Sequence, residues 1–168
     1  KSPEIKLNDI KKDKQENKIL ADQGTNQMED IIYNSNYSDD NQYTIKAEFG
    51  QFNKDDPDLM LLTNVKGTIL LNNSDIIKIS SDKASYNSEN YNTNFYKNVL
   101  IIFEDHRINS DNFDLSFDKK ISTIYNNVIY KNLNTTLRAD KIDIDLITKD
   151  SKIYMMDKSK KVKIKSLN

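Results

Sequence analysis

Two landmarks recur in phase along this 168-residue chain, and together they restrict what it can fold into. The first is an apolar residue, any residue, a small residue and an acid: Ile45-x-Ala47-Glu48, Ile79-x-Ser81-Asp82, Ile108-x-Ser110-Asp111 and Leu137-x-Ala139-Asp140. The acids are separated by 34, 29 and 29 residues. The second landmark is Asn64-Val65, Asn98-Val99 and Asn127-Val128, each Asn standing 16 residues after an acid. Motifs that keep step at a period of roughly 20 to 50 residues mark a repeat architecture. At the fourth unit Met156-Asp157 stands where Asn-Val is due, and terminal repeats are often atypical because nothing stacks beyond them.

The repeat is built from strands. From Ile31 onward, segments rich in Val, Ile, Tyr, Phe and Thr alternate with polar clusters, as in Val99 to Phe103, Phe113 to Phe117, Ile142 to Leu146 and Val162 to Ile164. Turns are expected at Asn72-Asn73-Ser74, Asn87-Ser88, Asp118-Lys119-Lys120, Asn132-Leu133-Asn134 and Lys149-Asp150-Ser151. With only three glycines, the turns must draw on Asn and Asp, which tolerate left-handed backbone. The expected class is all-β, an array of antiparallel hairpins with strands of about 5 to 8 residues, closed or sandwiched.

The acids fall where the alternation changes face. Phe113, Leu115 and Phe117 share parity with Asp111 whereas Ile108 does not, and Ile142, Ile144 and Leu146 share parity with Asp140 whereas Leu137 does not. Side chains in a strand have a period of two, so such a switch requires a bulge or corner. Glu48, Asp82, Asp111 and Asp140 are therefore read as structural corners, each acid bracing its bend by accepting backbone N–H bonds.

Composition removes several function classes. Twenty-five Lys and Arg against 26 Asp and Glu leave no basic stripe, so no nucleic-acid partner is expected. Without cysteine there is neither a disulfide framework nor a thiolate metal site. Repeated carboxylates spread along an array instead of converging on a bond, and neither a phosphate-binding loop nor a nucleophile elbow is present. His106, the only histidine, lies in the polar run Glu104-Asp105-His106-Arg107, which reads as an exposed hairpin loop. The chain is accordingly expected to be no enzyme, with no catalytic residues, no cofactor and no metal. Tyr86, Tyr91, Tyr96, Tyr125, Tyr130 and Tyr154 suit a ligand surface or ordinary half-buried strand positions equally well.

Residues 1–30 are mostly charged or amide and lack strand alternation, and a helix from Asp9 to Leu20 would have too thin an apolar stripe to hold it. They read as a polar linker ahead of a β domain at 31–168. The longest apolar runs, such as Val99 to Phe103, are far short of the roughly 20 residues that cross a bilayer.

The run "YTIKAEFGQF" at residues 43–52, and the stretch from Ile79 to Met155 with its "NV", "SDN", "NV" and "ADKI" landmarks, resembles the periplasmic domain of the LptC family in its alphaproteobacterial form. That family is the membrane-anchored component of the lipopolysaccharide export bridge, related to the LptA/OstA-like proteins. The resemblance implies a twisted, open β-jelly-roll of two stacked sheets whose apolar interior carries lipid A acyl chains. It implies a periplasmic location at the inner membrane, with a transmembrane anchor ahead of Lys1. It also implies an ATP-driven ABC-type extractor bound at the N-terminal edge and a soluble bridge protein at the C-terminal edge. The corresponding lining is Val99, Ile101, Phe103, Phe113, Leu115, Phe117, Val128, Tyr130, Ile142, Ile144 and Leu146. The corresponding partner edges are Tyr43 and Ile45 at one end and Val162, Lys163, Ile164 and Lys165 at the other. An LptA-like bridge protein, or a non-transporting β-repeat module with a dry core, fits the same repeats.

Overall fold

The structure, a computed structural model, describes residues 27–38, 41–71, 74–155 and 163–166. Ten strands follow one another: β1 (Gln27–Ser38), β2 (Asn41–Phe52), β3 (Leu59–Leu70), β4 (Ile76–Asn87), β5 (Thr93–Phe103), β6 (His106–Ser116), β7 (Ile121–Lys131), β8 (Thr135–Asp145), β9 (Ser151–Tyr154) and β10 (Lys163–Ser166). Strands β1 to β8 pair antiparallel in sequence order in a single open sheet, and β9 and β10 both pair with β8. The described residues form no helix long and apolar enough to cross a membrane.

Each of the first eight strands is 11 or 12 residues long, longer than the alternation suggests. The corner bends a strand without ending it. Buried positions in β6 run Ser110, Phe113, Leu115, a step of three where two is regular, and β8 repeats this with Leu137, Ala139, Ile142. In β5 the step is four, from Phe95 to Val99, and in β7 from Ile124 to Val128. Register shifts between Tyr96 and Val99 and between Tyr125 and Val128 place these irregularities in one line across the sheet. A crease therefore runs perpendicular to the strands, and one face stays inward on both sides of it.

The 16-residue phase has a direct explanation at the crease. Asn98 Nδ2 donates to Asp82 Oδ2 at 2.6 Å, Asn127 Nδ2 to Asp111 Oδ2 at 2.6 Å, and Asn64 Nδ2 to Glu48. Asn64, Asn98 and Asn127 all have positive φ, at 53°, 53° and 54°, and Asp30, Lys97 and Asn126 on the same line are also positive, at 50°, 64° and 63°. The sequence expectation is thus corrected: among the described residues these three acids brace the bend by accepting a side-chain amide, and the left-handed backbone belongs to the asparagines. Asn tolerates that conformation better than other residues with a side chain. The exposed acid takes up its spare donor. Asp140 holds the equivalent place in β8, across from Asn126 and Asn127.

The small residue before each acid points inward. Ala47 faces Val65, Val65 faces Ser81, Val99 faces Ser110 and Val128 faces Ala139. All are buried, so small and branched side chains interlock along the inner crease. Ser81 and Ser110 also donate from Oγ to the carbonyls of Lys83 and Asn112, at 2.7 and 3.0 Å, which ties each strand across its own bend.

Pairing begins at Gln27, four residues before the expected domain start, because Met28 and Ile31 supply inward side chains in an otherwise polar segment. Residues 9–20, where a helix is too weakly amphipathic to hold, and the Met156-Asp157 position lie outside the described residues.

Candidate functional site

The expected lining lies on the inner columns of the strands, with Phe117 and Leu146 just past the ends of β6 and β8 and packed against the core. Val99, Ile101, Phe113, Leu115, Val128 and Ile142 are buried, while Phe103, Phe117, Tyr130, Ile144 and Leu146 are half-buried. What covers them changes from one side of the sheet to the other.

On the β1 side the sheet curls over itself. Neighbouring strands lie about 4.8 Å apart, so elements three strands apart in a flat sheet would be separated by about 14 Å. Yet the rings of Tyr33 on β1 and Tyr86 on β4 stack at 5.1 Å, and Tyr43 Oη on β2 meets Thr93 Oγ1 on β5 at 2.8 Å. Phe117 packs against Tyr37 and Tyr43 at 4.8 and 5.1 Å. Burial pushes the Tyr43 phenol far above the usual tyrosine range. Tyr86 is raised first by burial and then by its neighbour Tyr91. Two glycines permit the approach. A Cβ at Gly67 would sit 3.0 Å from the Phe95 ring, and one at Gly50 would overlap the Ile31 side chain.

On the other side no such cover is formed among the described residues. The outer edge of β8 is shared by β9, against residues 141–144, and β10, against residues 135–138. Ile153 pairs with inward-facing Ile142 and Ile164 with inward-facing Leu137, so both side chains stand on the inner face. They remain 40 % and 65 % exposed. The apolar interior therefore runs out to a sheet edge and ends there uncovered.

These positions revise the expected partner edges. Tyr43 and Ile45 belong to β2, which is hydrogen-bonded to strands on both sides, and each is only 1 % exposed. The N-terminal edge is β1 instead, because residues 27–38 supply one more strand than their polarity suggests. Lys163, Ile164 and Lys165 do lie on a terminal edge strand; Val162 is outside the described residues.

His106 is the first residue of β6, with Glu104 and Asp105 forming the tight turn before it. Its Nδ1 lies 2.6 Å from Tyr130 Oη, which also accepts from Asn132 Nδ2 at 3.1 Å, and Phe103 stacks on the imidazole. This knits two hairpin ends together. Glu104, Asp105 and His106 could each offer a ligand atom to a metal ion, but the two acids are exposed turn residues, and among the described residues no further His, Asp or Glu joins the group.

At the opposite ends of the strands the loops are stitched in series. Asn92 Nδ2 donates to Asp118 Oδ1 at 2.8 Å while Asn92 Oδ1 accepts the Phe117 amide, and the Leu146 amide donates to the Lys120 carbonyl. Hydrogen bonds from Ser116 and then Asn92 hold the Asp118 carboxyl below the usual range. Those from the Thr148 and Ile147 amides do the same for Asp145.

No protein-family model matches this chain, and no curated protein matches it.

Proposed function

We propose that this chain is a passive conduit for lipid acyl chains, working as the LptC-like periplasmic component of a lipopolysaccharide export bridge. The observation that carries the reading is the terminal edge, where Ile153 and Ile164 extend the apolar inner face to the rim of the sheet and stay uncovered. Burying apolar surface is worth roughly 25 cal/mol per Å². A partner sheet that adds a strand at this edge covers both residues and joins its own apolar face to this one, and β-augmentation supplies the main-chain bonds. Lys163 and Lys165 on the same strand discourage indiscriminate pairing.

In this reading cargo enters from an ATP-driven membrane complex at the β1 edge and leaves at the β9/β10 edge to a soluble LptA-like protein. The chain performs no covalent chemistry. Phe117, Ile144 and Leu146, half-buried on the inner face, form the path, and the wholly buried Val99, Phe113, Leu115 and Val128 must part to widen it. A second reading, a non-transporting module with a dry core, draws on the Tyr43–Thr93 contact and on the Phe95–Phe113 stack at 5.7 Å, which fill the β1 side.

Site-specific photo-crosslinking separates the two. With a crosslinker at Leu115 or Ile144, lipopolysaccharide is captured if the interior is the path; Asp114 and Asp143, on the outer parity, stay unlabelled. Equal labelling at both parities, or none, removes the conduit. Ile164→Asp tests the edge: the variant should stay folded by circular dichroism and lose capture of an LptA-like partner.

A further inference from the structure

The outer face carries a second regularity that the conduit does not use. Following the register from strand to strand, one transverse row beside the crease reads Glu29, Phe49, Thr63, Lys83, Tyr96, Asn112, Tyr125, Lys141, Tyr154. Tyr96, Tyr125 and Tyr154 repeat at 29 residues and so occupy every second strand, as do Lys83, Asn112 and Lys141 between them. Neighbouring tyrosines are thus two strand spacings apart, roughly 9.6 Å. None of the three belongs to the core, and each is half-buried or exposed.

The surface around Tyr96 is hollow. A cavity of about 390 Å³ lies on one side, lined by Tyr96, Asp82, Asn98, Asp111, Lys97 and Asn112. A second, of about 350 Å³, adjoins Tyr96 from the other side and reaches Phe49, Leu61 and Lys83. Tyr125 Oη reaches Asp114 Oδ1 at 3.4 Å, and Lys141 Nζ lies over the Tyr154 ring at 5.2 Å.

We propose that this row is a binding site for a neutral, extended β-1,4-linked glycan, laid across the strands with its sugar rings on successive tyrosines. Three properties select that ligand. The tyrosine step matches the advance of such a chain per disaccharide, so alternate sugars meet equivalent rings. Aromatic rings with polar tips bordered by carboxylates and carboxamides suit sugars, which present an apolar C–H face and a rim of hydroxyls. At the Tyr96 hollow Asp82 and Asp111 balance Lys83 and Lys97, which favours an uncharged chain over a uronic or sulfated one. The site does not rest on the conduit reading, since inner and outer faces are separated by the sheet.

Calorimetric titration of the full chain with cellohexaose and cellobiose tests it. The hexasaccharide should bind at least about tenfold tighter than the disaccharide, because it engages several tyrosines at once. Tyr96→Ala with Tyr125→Ala should lower hexasaccharide affinity at least about tenfold with the β circular dichroism signal intact. Replacing both with Phe should keep affinity within about threefold, since the ring is retained. Failure of cellohexaose to bind at millimolar concentration overturns the proposal. So does equal binding of the two sugars, or wild-type affinity in the alanine variant. Salt-sensitive binding of a sulfated hexasaccharide that ignores the tyrosine substitutions also overturns it, by assigning the surface to charge.

Discussion

The two sides of the sheet are built from the same repeat and finished differently. Around β1 to β6 the inner face is closed by aromatic side chains that reach across three strands, Tyr33 to Tyr86 and Tyr43 to Thr93, leaving Phe95, Val99 and Thr93 wholly inaccessible. Around β8 to β10 the apolar inner side chains are all aliphatic, and the final pair, Ile153 and Ile164, is exposed. Closure of the interior is therefore a property of the curl and its aromatic seam, whereas the repeat alone leaves an open apolar edge.

The largest test of this contrast is truncation in the closed half. Phe95→Ala removes a ring stacked on Phe113 and packed against Gly67, and should cost about 3 to 5 kcal/mol in a denaturant melt. Ile164→Ala, at the open edge, should stay within about 0.5 kcal/mol of the parent. A comparable loss from both would mean that the terminal edge is packed after all.

Alkaline titration probes the seam next. Burial raises the Tyr43 and Tyr86 phenols, so above the ordinary value of 10.0 the unfolded chain releases these protons while the folded chain keeps them. Their contribution is complete below pH 10.0 and is lost as pH rises toward the folded values, at up to about 1.4 kcal/mol per pH unit for each tyrosine. Tyr43→Phe should make the decline measurably shallower, and an unchanged slope would show that the seam opens before it titrates.

Substitutions at the crease should have smaller effects, shared by both sides. Asn127→Ala loses a left-handed residue of the preferred type and should cost about 1 to 2 kcal/mol. Asp111→Ala, exposed and replaceable by water, should cost under about 1 kcal/mol. The reverse order would return the bracing role to the acid. Smallest is Lys97→Gly, which relieves a φ of 64° and should stabilise the fold by about 0.5 kcal/mol after the chain entropy of glycine is offset.

Much of this organisation is local and was therefore legible. The parity of apolar side chains is set by backbone geometry within a few residues, so the inward columns, the face switch at each acid and the turns near Asn87, Asp118, Asn132 and Lys149 can be read from the chain itself. Tyr96, Tyr125 and Tyr154 stand 29 residues apart in the chain, but that they share one row is decided by the strand register. Which face they occupy follows from the same alternation once the two-residue bulges at Lys97-Asn98 and Asn126-Asn127 are known.

Contacts between strands were decided by tertiary structure. The sequence itself determined a repeating all-β chain with a bend at each acid, because strand periodicity and turn chemistry act over neighbouring residues. It contained the 16-residue interval between Asp111 and Asn127 but not its meaning, since a hydrogen bond across a hairpin exists only when bulge and register bring the two groups together. It marked Tyr43 as a strand residue but could not tell an edge from an interior strand, because that depends on whether the polar segment before it pairs. Whether an apolar column ends buried or bare depends on the curl of the whole sheet: three strand spacings bring Tyr43 over Thr93 at one side, and nothing among the described residues returns over Ile164 at the other.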